Sequence, residues 1–220
     1  MKRKFLLFIS MIIGTFAIAQ EPSFGVRAGL TSSGMRGDAI TSLNSLLDYT
    51  DGYITTGNRT GFFAGGYANI PLGEVFSIEP ALYYSQKGYE LRGSLNVKGA
   101  EFLGVNAKAG LNMQYIDLPV VAKANFNGFE VFAGPQISYL SSASLKTSAG
   151  LLGFDLLKTS TDATPVFNKW DAAITAGIGY NFSNGLNIRA AYDYGLMKTD
   201  AAHLLNAYNR SIKLGIGFNF

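Results

Sequence analysis

An all-β fold is predicted: an eight-stranded antiparallel transmembrane β-barrel with short turns at one end and long loops at the other. Three observations predict it. The chain closes on a strongly alternating segment, it contains seven more such segments separated by alternately long and short gaps, and it opens on a segment with the layout of an export signal.

The closing segment is the clearest. From Ile212 every second residue is large and apolar (Ile212, Leu214, Ile216, Phe218, Phe220), whereas Ser211, Lys213, Gly215, Gly217 and Asn219 lie between them. Successive side chains of a strand point to opposite faces, so this stretch has one oily face and one polar face. That pattern is expected of a membrane-spanning strand. The terminal aromatic after alternating apolar residues also resembles the signal by which bacterial outer-membrane barrels are taken up by the barrel-assembly machinery.

The eight segments run over residues 23–31, 60–70, 75–87, 108–126, 129–140, 170–182, 186–194 and 210–220. The short gaps are Pro71-Leu72-Gly73-Glu74, Asn127-Gly128 and Ser183-Asn184-Gly185, of which Asn-Gly is a strong two-residue hairpin signal. The long gaps are 32–59, 88–107, 141–169 and 195–209. Outer-membrane barrels have this asymmetry, with short periplasmic turns and longer extracellular loops.

Which face is oily separates a soluble ligand-carrying barrel from a membrane barrel, because the first buries its apolar face inside and the second turns it to lipid. One face contains Phe24, Phe62, Ile78, Val120, Val131, Ile174, Ile188 and Leu214 and no charge. The other contains Arg27, Glu79, Lys87, Asp117, Lys123, Glu130, Asp171, Arg189, Asp193 and Lys213, five bases and five acids. In a soluble barrel these charges would coat the exterior. The export signal and Phe220 favour the membrane version, in which the charges face a lumen that eight strands leave just wide enough for side chains to fill. Ions there must neutralise one another. The expected interior is a charge-paired plug, since a wide aqueous channel needs about 16 strands.

At the start, Lys2, Arg3 and Lys4 precede an apolar run from Phe5 to Phe16, and Ala17-Ile18-Ala19 supplies a small-x-small cleavage site. Residues 1–19 are therefore expected to be a cleaved signal peptide and residues 20–220 the barrel domain. The run is shorter than the roughly 20 residues of a transmembrane helix, and Gln20 at the cut argues against a lipoprotein. Of 18 Lys+Arg against 15 Asp+Glu, three bases and no acid lie in this leader, which leaves equal numbers in the mature chain. The excess that would suit nucleic acid disappears with the leader. With no Cys, closure must hold the fold without covalent staples, and 26 Gly, 12 Tyr and 16 Phe fit a turn-rich β-chain.

Tyr83, Tyr84, Tyr139, Trp170, Tyr180, Tyr192 and Tyr194 fall near proposed strand ends, where amphipathic rings favour the membrane interface. Pro80, Pro119 and Pro135 lie inside strands, which points to bulges or to imperfect strand limits. The stretches Ser77-Ile78-Glu79-Pro80-Ala81-Leu82-Tyr83-Tyr84-Ser85-Gln86-Lys87-Gly88, Ile116-Asp117-Leu118-Pro119-Val120-Val121-Ala122-Lys123 and Phe132-Ala133-Gly134-Pro135-Gln136-Ile137-Ser138-Tyr139-Leu140, with Tyr192-Asp193-Tyr194-Gly195-Leu196 and Asn209-Arg210, resemble the signature strands of the PorT-type outer-membrane β-barrel family. The resemblance implies an eight-stranded barrel in a Gram-negative outer membrane. Its namesake is associated with protein secretion.

Catalytic patterns are sparse. His203 is the one histidine; with Asp200 and Ser211 it sketches a hydrolase triad, the basis of an alternative reading as an envelope-lipid deacylase or acyltransferase. A lone His does not make a metal site, and no cofactor is expected. Gly177-x-Gly179 is strand alternation without the helix of a phosphate loop, and Arg36-Gly37-Asp38 is read as turn chemistry rather than an adhesion tripeptide. The best functional surface is the loop set: Ile40, Leu43, Leu46 and Leu47 are spaced as one face of a short helix, and Leu151, Leu152, Phe154, Leu156 and Leu157 form a second apolar cluster. Such groups suit a protein partner or loops folded over the barrel mouth. The leading reading is a non-enzymatic barrel whose partners are outer-membrane lipid, the assembly machinery and a protein bound at the loops.

Overall fold

The computed structural model describes residues 21–48, 54–97, 100–151, 154–202 and 206–220; the proposed signal peptide lies outside them. They form nine strands, β1 (Ser23–Arg36), β2 (Ile54–Pro71), β3 (Phe76–Val97), β4 (Ala100–Phe126), β5 (Phe129–Leu151), β6 (Phe154–Asp162), β7 (Trp170–Asn181), β8 (Leu186–Lys198) and β9 (Tyr208–Asn219), with helix α1 (Asp38–Asp48) after β1. Hydrogen-bonded neighbours run β4-β3-β2-β1-β9-β8-β7-β5, and β4 also pairs β5. Eight antiparallel strands therefore close into a barrel without an edge. β6 is additional: it pairs only with the upper part of β5, Ser144 to Leu151, above the stretch of β5 that carries β7.

At the end with tight turns the strand limits fall within a residue or two of the sequence pattern. Asn127 and Gly128 have φ values of 53° and 90°, both positive as a type I′ turn requires, and Asn125 Oδ1 accepts the Gly128 N–H at 3.0 Å. At the other end the chain departs from expectation. Residues 88–107 are not a loop, because β3 and β4 stay paired as far as Val97 and Ala100, and residues 141–169 contain the β5–β6 hairpin. On this side the wall continues as a sheet of β2, β3, β4, β5 and β6. The alternation fades there because neither face meets lipid, so nothing forces one face to be apolar.

The three wall prolines are not bulges. Pro80 pairs Val120, Pro119 pairs Gln136 and Pro135 pairs Ile174, and the register is the same on both sides of each. The irregularities in these ladders lie elsewhere, at Leu95/Val97 and Gln114/Tyr115. Each ring removes a donor, yet closure of the barrel holds the register across the gap.

Candidate functional site

Strand alternation places Phe24, Phe62, Val120, Val131, Ile174, Ile188 and Leu214 exposed on the outer wall, with Ile78 half-buried. The same alternation turns all ten of the charged residues into the lumen, where each is buried. Within the lumen they form two groups.

Nearer the tight turns, Glu79 is the hub. Its carboxylate accepts from Arg189 Nη1 and Nη2 at 2.6 and 2.8 Å, from Arg27 Nη1 at 2.9 Å and from Lys123 Nζ at 3.0 Å. Glu130 binds Arg189 Nε and accepts from Asn181 at 2.8 Å. Lys123 lies 3.4 Å from Glu130. The planar guanidinium of Arg189 thus bridges two carboxylates, geometry that a lysine could not supply.

Nearer the mouth, Asp117 accepts from Lys87 at 2.9 Å, Lys213 at 3.1 Å and Ser85 Oγ at 2.7 Å. Lys213 also pairs Asp193 at 2.8 Å, to which Ser211 donates at 3.0 Å. Asp171 stands outside these ion pairs, and its Oδ2 accepts from Asn209 at 2.8 Å.

Between the two groups lies an apolar septum that alternation alone does not reveal. Phe63 pairs Gly29 and Ser85, one inward step above the level of Arg27; Phe132 pairs Gly177 and lies one inward step from Glu130. Val121, Tyr83 and Ala191 join them around a cavity of about 40 Å3 that Arg27, Glu79 and Arg189 of one group and Lys213 of the other also line. Glycine makes the room: a Cβ at Gly215 would stand 2.8 Å from Phe63 Cζ, and one at Gly177 2.5 Å from Phe132 Cζ. The rings also face cations, with Arg27 4.0 Å from the Tyr67 centroid, Arg189 4.4 Å from Phe132 and Lys87 4.8 Å from Tyr115. Tyr83, expected in the interfacial belt, is inside the barrel and accepts from Arg27 at 2.6 Å. Trp170 and Tyr139 are exposed and stack edge-on at 5.0 Å, while Tyr180, Tyr192 and Tyr194 are exposed on the wall and Tyr84 half-buried beside Phe62.

The mouth is capped. Met35, Met113, Tyr115, Leu140 and Ala143 form a buried cluster, and Ile40 of α1 and Ala163 and Phe167 from the segment after β6 pack on it. Two clamps hold this cap. Thr164 donates to Asp162 through its N–H and Oγ1 and accepts the Ala143 N–H at 2.9 Å, which also holds the Asp162 carboxyl below its usual range. Asp38 accepts from Asn206 Nδ2 at 3.0 Å. Of the helical apolar residues, Ile40 points into the cap and Leu46 into solvent.

Among the described residues no group of three or more His, Cys, Asp and Glu is placed to hold a metal ion. His203 lies outside the described residues, as does Leu152, and Ser211 is engaged in the lumen with Asp193. The remaining closing-strand positions behave as one face: Ile212, Leu214, Ile216, Phe218 and Phe220 are all exposed on the wall.

A closed wall with an apolar exterior and a charge-paired interior has the physical form of a lipid-embedded barrel, and the sequence match agrees. Residues 18–201 match the model of the outer membrane protein beta-barrel domain. The chain belongs to this family. It is an integral, multi-pass outer-membrane β-barrel protein. No curated protein matches the sequence. Similar solved structures include Ail, the attachment invasion locus protein of Yersinia pestis (15% identity, TM-score 0.49, 91% of this chain and 100% of that one). Neisserial surface protein A (13%, 0.48, 91% and 100%) and OprG of Pseudomonas aeruginosa (16%, 0.45, 91% and 97%) are others. At such identities these likenesses concern shape and carry nothing about activity.

Proposed function

We propose that the protein is a non-enzymatic, non-conducting outer-membrane barrel that presents its projecting sheet and α1 to a protein partner at the cell surface. The observation that carries this reading is the asymmetry of the wall: β3 and β4 run on as a paired hairpin to Val97 and Ala100, and β6 widens it, whereas the periplasmic end stops at tight turns. Strand pairing beyond the bilayer contributes nothing to lipid embedding. The lumen supports the reading from the other side, because its ion pairs, septum and apolar cap leave the outer surface as the place for recognition. Residues 1–19 fit an export signal removed before assembly, and the exposed face from Ile212 to Phe220 suits recognition by the assembly machinery. Membership of the PorT-type branch, with an accessory role in secretion, is the finer form of the same reading and rests on the proline-bearing strands.

The test is surface cross-linking in intact cells from cysteines placed at Thr159 and Ser160 on β6, with the same cysteines in a chain whose residues 94–106 are replaced by Asn-Gly. Retained heat-modifiable folding with loss of one discrete cross-linked protein is the expected result. No cross-link from either position in the full-length chain removes the display reading. A changed lipid A profile in the His203→Ala strain would instead favour an envelope-lipid enzyme.

A further inference from the structure

On the outer wall of β8, β9 and β1, a trough of about 600 Å3 is lined by Ala28, Leu30, Ile188, Ala190, Leu214 and Ile216 among its residues. Ala28 and Ala190 give it a low floor between larger neighbours. Four residues further along β9, about 13 Å toward the mouth, the same outward face carries Arg210, exposed and paired with Tyr194 on β8 and Gly34 on β1. Because Gly34 has no side chain, the arginine lies along the wall: its Nε is 3.7 Å from where a Cβ at Gly34 would stand.

Arg36 joins it from the next outward position of β1. Its guanidinium sits 3.8 Å from the Tyr194 ring centroid and 4.8 Å from that of Tyr208, and Nη2 donates to the Gly195 carbonyl at 2.7 Å. Arg36 as a whole is half-buried; its Nε is enclosed without a protein acceptor, so a ligand would meet the Nη edge of the fork. Stacking and this one hydrogen bond fix the plane of the fork, which reduces the entropy lost when it binds a second group. Two guanidiniums on a lipid-facing wall, level with exposed Tyr194, are costly beside hydrocarbon unless they meet anionic headgroups. Guanidinium and phosphate match in geometry and charge.

We infer that this stripe binds a phosphate-bearing, acylated lipid of the outer leaflet, with the phosphate at Arg36 and Arg210 and an acyl chain in the trough below them. Charge complementarity selects the headgroup, and the apolar trough directly beneath selects a tethered chain over free phosphate. The outer leaflet follows from the position of both arginines at the strand ends opposite the tight turns.

The experiment is native mass spectrometry of the full barrel in detergent with dioleoyl phosphatidic acid, dioleoyl phosphatidylcholine and sn-glycerol 3-phosphate as probes, each variant first checked for heat-modifiable folding. Phosphatidic acid should be retained about tenfold more tightly than phosphatidylcholine, as charge-assisted contacts to phosphate imply. Arg210→Ala should remove that preference, Arg210→Lys should keep part of it, and Ala190→Trp, which fills the trough, should weaken both lipids. Equal retention of the two lipids, or an Arg210→Ala variant indistinguishable from the parent, overturns the inference. Displacement of phosphatidic acid by an equal concentration of glycerol 3-phosphate overturns it as well, since the chain would then contribute nothing.

Discussion

Replacing Glu79 by Gln removes the hub of the lower ion group while leaving the side chain almost the same size. The carboxylate receives four charge-assisted hydrogen bonds from Arg27, Arg189 and Lys123. Gln keeps one acceptor but turns an NH2 donor toward groups that are themselves donors. Adding four bonds at full strength would overshoot, because Glu130 still holds Arg189 and Lys123. The better guide is the cost of removing one partner from a buried pair, about 3–5 kcal/mol. That is a large part of a typical folding free energy of about 5–15 kcal/mol. The chain has a single tryptophan, Trp170, exposed on the outer wall, so its fluorescence reports transfer from lipid to water during urea unfolding in phospholipid vesicles. Glu79→Gln should lower the unfolding free energy by about 3–5 kcal/mol, and Glu79→Gln with Arg27→Met should recover part of it by removing the cation whose carboxylate partner was Glu79. A single-variant loss below about 1 kcal/mol would mean that water solvates the freed charges, as in an exposed pair, and would refute a dry, paired lumen.

Leu214→Arg puts a charge on the exposed outer wall and should cost about 2–4 kcal/mol if that position lies near the bilayer midplane, read as reduced assembly into outer membranes. Lys213→Gln, mild on strand pattern alone, strips Asp193 of its cation and should also lower the heat-modification temperature. Gly215→Val drives a methyl into Phe63 and should cost about 1–3 kcal/mol in vesicle unfolding. Planar bilayers containing the purified barrel should show no ion-selective steps, because between the two ion groups the rings of Phe63 and Phe132 and the side chain of Val121 leave a cavity of only about 40 Å3; reproducible steps altered by Lys123→Glu or Arg189→Glu would refute this.

The wall was legible in the chain because a membrane imposes a period of two on every strand it touches. Lipid requires Leu214 and Ile216 outward, and the pleat then sends Lys213 inward without further information. The same rule placed Arg27, Glu79 and Arg189 in the lumen, and Asn127-Gly128 marked a turn through local backbone preference alone. Periodicity stops where that solvent stops. Residues 88–107 read as a loop because a hairpin above the bilayer has no lipid to select its faces. Tyr83 read as a belt residue from its place near a strand end, although it shares the inward parity of Glu79 and Lys87; its neighbours in sequence do not show that Arg27, from another strand, needs an acceptor. Which carboxylate meets which cation, and that Phe63 and Phe132 come level across the barrel in the space left by Gly215 and Gly177, depend on strand stagger at closure. That stagger joins residues more than a hundred positions apart, such as Glu79 and Arg189, so tertiary structure alone decides it.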